Sequence, residues 1–208
     1  MKKFVRYLAL ASFLASDTES ANPVSYQELT SIAEQSRQNT AQKMASGIFI
    51  MDKSGMILGC SRKDRRTEFG LPGGKLEIGD TSFMAATRET KEETGVLILE
   101  EQLAPIFVTK DGPFDFVTFV LKEGLLLERP PLIPEAGEGD CKWLTPFEFI
   151  TGAFPHYNGL LLLILPDIYK DHYKNKVWYK KLEGLGFDRV QTMSNEEIRS
   201  LVTEIGDQ

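Results

Sequence analysis

Apolar residues gather in short runs through the centre of this chain and recur at helical spacing on either side of it. Gly47 to Met51 and Met56 to Cys60 read as two strands about the turn at Asp52-Lys53-Ser54-Gly55. Val96 to Leu99, Leu103 to Thr109 and Phe114 to Leu121 supply three more, the last two joined through Asp111-Gly112-Pro113. Trp143-Leu144 predicts a short strand before a helix opening at Thr145-Pro146. Between these strands, Ser82 to Thr94 is rich in Ala, Met, Arg, Glu and Lys and contains neither Pro nor Gly. It predicts a helix capped by Asp80, Thr81 or Ser82 and stopped by Gly95. Phe83, Ala86 and Thr90 form one stripe of that helix and would seat it on a core. Ahead of the centre, Pro23 to Lys43 reads as a polar helix with Ser25 and Glu28 as its capping box, and Phe4, Tyr7, Leu8, Ala11 and Leu14 have amphipathic helical spacing. Behind it, a helical stretch from about Asn158 to Leu182 must break or kink at Pro166. Ser194 to Ile205 closes the chain as a helix, with Ser194 and Glu197 as its capping box. Strands on both sides of one helix, followed by further helices, predict an α/β layered domain.

The polar face of the central helix carries the chemistry. Glu89, Glu92 and Glu93 fall at i, i+3 and i+4, so their carboxylates share one side. Like charges so placed cost an isolated helix about 0.2–0.5 kcal/mol per pair. A hard divalent cation reverses the sign of that cost, because Mg²⁺ and Mn²⁺ prefer carboxylate, carbonyl and water oxygens. A solvated acidic face is the simpler reading of any Glu-rich helix. Here the Gly73-Gly74 turn, Asp80, the Arg88-Glu89 pair and Gly95 occur together, and the combination favours a metal cradle.

The run Gly74-x5-Asp80-x7-Arg88-Glu89-Thr90-Lys91-Glu92-Glu93-Thr94-Gly95-Val96 resembles the signature of the Nudix hydrolases, Gly-x5-Glu-x7-Arg-Glu-U-x-Glu-Glu-x-Gly-U, where U is aliphatic. Asp80 in place of Glu and Thr90 in place of an aliphatic residue are the departures. The resemblance implies a Nudix-like mixed β-sheet sandwiched between helices over residues 45–166. An N-terminal helical extension (1–44) and a C-terminal one packed on the domain (167–208) lie outside it. It further implies metal-dependent hydrolysis of the pyrophosphate bond of a nucleoside diphosphate linked to another moiety. Glu89, Glu92, Glu93 and the carbonyl of Gly73 would hold Mg²⁺ or Mn²⁺, and Arg88 would orient Glu89. Gly73, Gly74 and Lys75 would face the substrate phosphates, while Glu77 is as well read as a solvated side chain. For the general base, Glu138 in the Pro- and Gly-rich stretch from Pro130 to Asp140 is preferred, with Glu135 and Glu89 as alternatives. Phe69, Phe114, Phe116 and Tyr157 are available for stacking on a nucleobase, although each reads first as a core residue. The competing expectations are a Nudix-fold sensor that binds a nucleotide metabolite without turnover and an acidic interaction module.

Composition narrows this picture. The chain has 208 residues, 42% of them hydrophobic, which suits one domain with extensions, and a formal net charge of -6 with no basic block. That balance disfavours a large nucleic acid as partner and leaves a small phosphorylated nucleotide as the expected one. A homodimer is compatible with the sequence. Cys60 and Cys141 are the only cysteines, sit beside strand-like residues and are expected as reduced, packed thiols. His156 and His172 are too far apart to suggest a local metal site. Lys2, Lys3 and Arg6 precede an apolar run from Tyr7 to Ala15 that superficially resembles a signal peptide. No small-x-small cleavage site follows, and the run is too short to span a bilayer, so a cytoplasmic location is the expectation.

Overall fold

The computed structural model describes residues 6–7, 25–39, 41–111, 113–122 and 128–207. In chain order the elements are β1 (Arg6–Tyr7), α1 (Tyr26–Glu34), β2 (Met44–Phe49), β3 (Ile57–Arg62), β4 (Arg65–Gly70), β5 (Gly73–Lys75) and α2 (Ser82–Thr94). After a 3-10 turn at Glu100–Gln102 come β6 (Leu103–Asp111), β7 (Phe114–Leu121), β8 (Cys141–Leu144), α3 (Pro146–Thr151) and α4 (Pro155–Ile164). The last four are α5 (Asp167–Lys170), α6 (Val177–Leu185), α7 (Phe187–Thr192) and α8 (Asn195–Thr203).

The strands form a five-stranded sheet in the order β1-β6-β7-β2-β5 and a three-stranded sheet in the order β4-β3-β8. In the larger sheet β2 and β7 run parallel, while β6–β7 and β2–β5 are antiparallel, so it is mixed. Alternation along β2 and the residues after it decides what covers each face. Ile48 and Ile50 join Leu29 of α1, Ala86 of α2, and Val117 and Phe119 of β7 in one apolar cluster. Phe49 and Met51 point the other way, into a cluster with Phe149, Leu161, Tyr169, Trp178, Val190, Ile198 and Val202. The sheet therefore lies between an α1/α2 layer and a layer built from α3 to α8. The C-terminal helices share the core of the sheet, and the Tyr169 hydroxyl donates to the Leu121 carbonyl at 3.2 Å.

Several local expectations are corrected. Val96 to Leu99 is not a strand: Val96 and Ile98 are buried and Leu97 is 71% exposed, but no ladder partner lies alongside among the described residues. The helix expected over Pro23 to Lys43 is confined to α1. Ser25 caps it by accepting the Glu28 N–H at 3.2 Å, and beyond Gln35 the backbone turns to the loop before α2, with Arg37 N–H donating to the Asp80 carbonyl at 2.9 Å. The stretch from Asn158 to Leu182 is three helices; Leu165, ahead of Pro166, is extended at ψ 147° as the proline ring demands. At Arg6–Tyr7 the expected N-terminal helix is instead a strand opposite Val108 and Phe107, and the rest of that expectation lies outside the described residues. The strands β4 and β5 went unread because neither carries an apolar run. Cys60 and Cys141 are not free thiols; they form a disulfide across 81 residues of chain, because the β3–β8 register sets them directly opposite one another. No described helix is long and apolar enough to cross a membrane.

Candidate active site

Helix α2 is fixed on one side and acidic on the other. The Thr81 hydroxyl caps its start by accepting the Met84 N–H at 3.2 Å, and Gly95 ends it in the left-handed region at φ 74°. Ala85, Ala86 and Thr90 are buried, and the Phe83 ring lies 4.6 Å from that of Phe119. The opposite face looks onto β5, which pairs with β2 through Gly47–Gly73 and Ser46–Gly74. Two glycines make this approach possible. A Cβ on Gly74 would sit 2.4 Å from the Glu89 carboxyl carbon, and one on Gly73, whose φ is +154°, would sit 2.2 Å from the Ser46 carbonyl oxygen. The Gly73 N–H in turn donates to Glu93 Oε2 at 2.9 Å.

Arg88 gathers the remaining acids. Its guanidinium donates to Glu89 at 2.9 Å, to Glu92 at 3.4 Å, to Asp80 at 3.1 Å and to the Lys75 carbonyl at 3.2 Å. Asp80 therefore serves this network as an ion-pair partner, and it also accepts the Glu77 N–H at 3.0 Å. Lys75 contributes its carbonyl here. Its ammonium lies 5.3 Å from the Phe114 ring centre, and Glu77 is exposed. Burial, with a smaller contribution from Glu89, Glu138 and Glu92, pushes the Glu93 carboxyl up to about 8 against the pull of the Gly73 N–H. Burial also raises Glu89, with Arg88 opposing and Glu92 and Glu138 adding to the rise.

The segment from Glu128 to Asp140 straps the open side of α2. Its Arg129 clamps the buried carboxylate of Asp52 at 2.6 Å, the Ile133 N–H donates to the Thr94 carbonyl at 2.8 Å, and the Glu135 N–H donates to the Glu92 carbonyl at 2.8 Å. Glu138 is thereby brought near Glu89 and Glu93, whose carboxyls both feel its charge. Its side chain is 22% exposed and pairs with Lys63 at 2.9 Å. Glu135 is exposed and engages α2 through its backbone. Lys63 is the site residue that sequence reasoning missed, because it sits in the turn of the β3–β4 hairpin with nothing local to relate it to Glu138. Of the aromatic candidates, Phe116 packs edge-on to Tyr157 at 5.9 Å, and the Tyr157 hydroxyl lies 2.6 Å from that of Thr118. Phe69 lies beneath the Lys142 ammonium at 4.5 Å.

Among the described residues no three His, Cys, Asp or Glu side chains converge as a ready-made metal shell. Glu89 and Glu92 turn to Arg88 and Glu93 turns to the Gly73 N–H. The donor set still suits a hard cation: Asp80, Glu89 and Glu92 share one guanidinium, and Glu93 beside them is buried enough to hold a proton near neutrality.

Comparison with known proteins shows what the chain is similar to. The NUDIX domain matches residues 41–162, a stretch that contains β5, all of α2 and Glu138. The uncharacterized Nudix hydrolase YvcI of Bacillus subtilis is 31% identical over 83 residues, 40% of this chain and 44% of that protein. An ADP-ribose pyrophosphatase of Methanocaldococcus jannaschii is 38% identical over 64 residues, 30% of this chain and 38% of the relative. The chain thus spans less than half the length of either. A MutT structure from work on the Aliivibrio salmonicida and Vibrio cholerae proteins superposes with a TM-score of 0.45 at 18% identity, over 56% of this chain and 90% of that one. The chain belongs to the Nudix family.

Proposed function

We propose that this chain is a divalent-cation-dependent pyrophosphohydrolase that cleaves the pyrophosphate of a nucleoside diphosphate joined to another moiety. The observation that carries the reading is the gathering of Glu89, Glu92, Glu93 and Glu138 about the Gly73-Gly74 turn in a Nudix chain. The Methanocaldococcus jannaschii relative makes ADP-ribose the first substrate to test.

Glu89, Glu92 and Glu93, with the Gly73 carbonyl, would hold Mg²⁺ or Mn²⁺. A cation bound there supplies charge neutralisation for the pyrophosphate oxygens and acidifies a water nucleophile. The residues themselves supply position and proton transfer. Gly73 and Gly74 keep side-chain atoms out of the space between β5 and α2, so backbone can face the phosphates. Arg88 holds Glu89 and Glu92 at fixed angles through charge-assisted hydrogen bonds. Glu138 is the preferred general base: it takes the proton of the attacking water, and Lys63 holds its carboxylate in place. Glu89, with its raised carboxyl, is the alternative base. Residues 45–166 would carry the chemistry, with 1–44 and 167–208 as its extensions.

A panel of ADP-ribose, nucleotide sugars, dinucleoside polyphosphates and nucleoside triphosphates, assayed with Mg²⁺ or Mn²⁺, tests the reading. Release of a nucleoside monophosphate from at least one diphosphate derivative, abolished by a chelator, is expected. Saturable binding of a panel member without cleavage would make the chain a sensor instead.

A further inference from the structure

Three successive carbonyls at the C-terminal end of α2 face the strap and the start of β8 that follows it. The Glu92 and Thr94 carbonyls accept the Glu135 and Ile133 N–H groups, each at 2.8 Å, and the Glu93 carbonyl oxygen lies 3.2 Å from Cys141 Sγ. The last carbonyls of a helix have no partner within it, so the strap completes the end of the acidic helix. Cys141 is in turn bonded to Cys60 on β3, their Cα atoms 4.1 Å apart. Around this bond the strap is stitched to β3. The Ser61 N–H donates to the Asp140 carbonyl at 2.8 Å, the Asp140 N–H donates to Ser61 Oγ at 3.0 Å, and a Cβ on Gly139 would lie 1.9 Å from the Ser61 carbonyl oxygen. Glu138 is three residues from this root. Opening the sulfur pair therefore acts where the strap that carries Glu138 joins the sheet, and against the backbone of Glu93.

We propose that Cys60–Cys141 is a thiol–disulfide modification site that tunes the acidic site, with a dithiol as its reductant. The proposal rests on the metal-binding reading of Glu89, Glu92 and Glu93. A thiolate of the dithiol attacks Cys141 Sγ, the partly exposed partner, since Cys60 is 6% exposed. The S–S bond breaks, Cys60 leaves as a thiolate and takes up a proton. The second donor thiolate then attacks the mixed disulfide and releases Cys141, which is also protonated. Two electrons and two protons pass to the protein, and the donor ends as its own disulfide. The two states differ at the end of α2. The disulfide ties the strap to β3, whereas a Cys141 thiol, which alone carries a proton, can donate to the Glu93 carbonyl. Reduction thus exchanges a covalent tie for a weak hydrogen bond and loosens the support of Glu138.

The test is titration of Mn²⁺ alone into the full chain, oxidised and after reduction with dithiothreitol that is removed before the titration. Reduction is expected to free two thiols and to weaken Mn²⁺ binding about tenfold, the low end of what losing a contact behind a metal ligand costs. Reoxidation should restore the affinity. The Cys60→Ser/Cys141→Ser double variant should bind like the reduced protein and ignore dithiothreitol; if it does not fold, the reversible change in the wild type decides. Equal affinities in the two oxidation states, or two thiols already titratable before reduction, overturn the inference and leave the metal reading standing. Absence of Mn²⁺ binding in either state overturns the metal reading, and the inference with it.

Discussion

At the scale of residues, the site is a set of trade-offs between burial and charge. Thr90 stands where the family signature has an aliphatic residue, and its hydroxyl is buried without a hydrogen-bond partner. Leaving such a group unsatisfied costs about 1–3 kcal/mol, and valine has nearly the same shape. Thr90→Val is accordingly expected to raise stability by about 1 kcal/mol in urea unfolding without loss of turnover; a less stable variant would mean that the hydroxyl has a partner in solution. Glu93 is the reverse case, a buried carboxyl met by one hydrogen bond from the Gly73 N–H. Its carboxyl is pushed up to about 8, whereas an unperturbed glutamate titrates at 4.5. Between those values the folded state holds a proton that the unfolded state has lost, so stability falls as pH rises through this window and levels off above it. The melting temperature of the metal-free protein should show that decline, and Glu93→Gln should flatten it. An unchanged slope in the variant would place the titrating group elsewhere. Glu89, Glu92 and Glu93 were legible in the sequence, because helical spacing puts them on one face, and Arg88 was legible through the resemblance to the Nudix signature. Lys63 was not, since its meeting with Glu138 depends on a hairpin folding back over a strap.

At the scale of elements, legibility follows locality. The helix α2, with its Thr81 cap and Gly95 stop, depends on contacts within four residues and emerges from the sequence with its bounds intact. The start of α8 is likewise set by its Ser194–Glu197 capping box, which forms in both directions, although the helix ends at Thr203, short of the expected Ile205. The elements that were misread depend on distant partners. Val96 to Leu99 has the alternation of a strand and, among the described residues, lacks a neighbour to pair with. The β5 strand is two glycines and a lysine, and it exists because β2 offers a ladder beside it. The disulfide has the same origin: β3 and β8 bring together two cysteines that are 81 residues apart in sequence. The strap, which carries the proposed base Glu138, is the element with the least signal. Its Pro- and Gly-rich composition reads as a hydrated loop. In the structure it is held at one end by the Arg129–Asp52 ion pair, in the middle by the carbonyls of α2, and at the other end by Ser61 and Cys60.

At the scale of the whole molecule, the sheet separates two apolar clusters that do different work. The cluster under α1 and α2 seats the acidic helix. The other is the larger, and in it Trp178, Tyr169, Val190, Ile198 and Val202 cluster with Phe49 at the end of β2 and with Met51 just beyond it. The C-terminal helices therefore support β2, and through β2 the Gly73-Gly74 turn, from the far side of the sheet. Their helical character was readable from spacing, but their shared core was not, because its contacts join residues far apart in the chain, as Tyr169 does with Phe49 and Leu121. Both layers converge on the acids that face β5. The most direct test of their role is steady-state hydrolysis of the best substrate from the panel, with Mg²⁺ or Mn²⁺, by wild type, Glu92→Gln and Glu93→Gln. Each variant keeps the shape and removes the charge, and should lose about tenfold or more in turnover, as loss of a charge that stabilises the transition state does. Wild-type rates in both variants would contradict the assignment of these glutamates to the reaction.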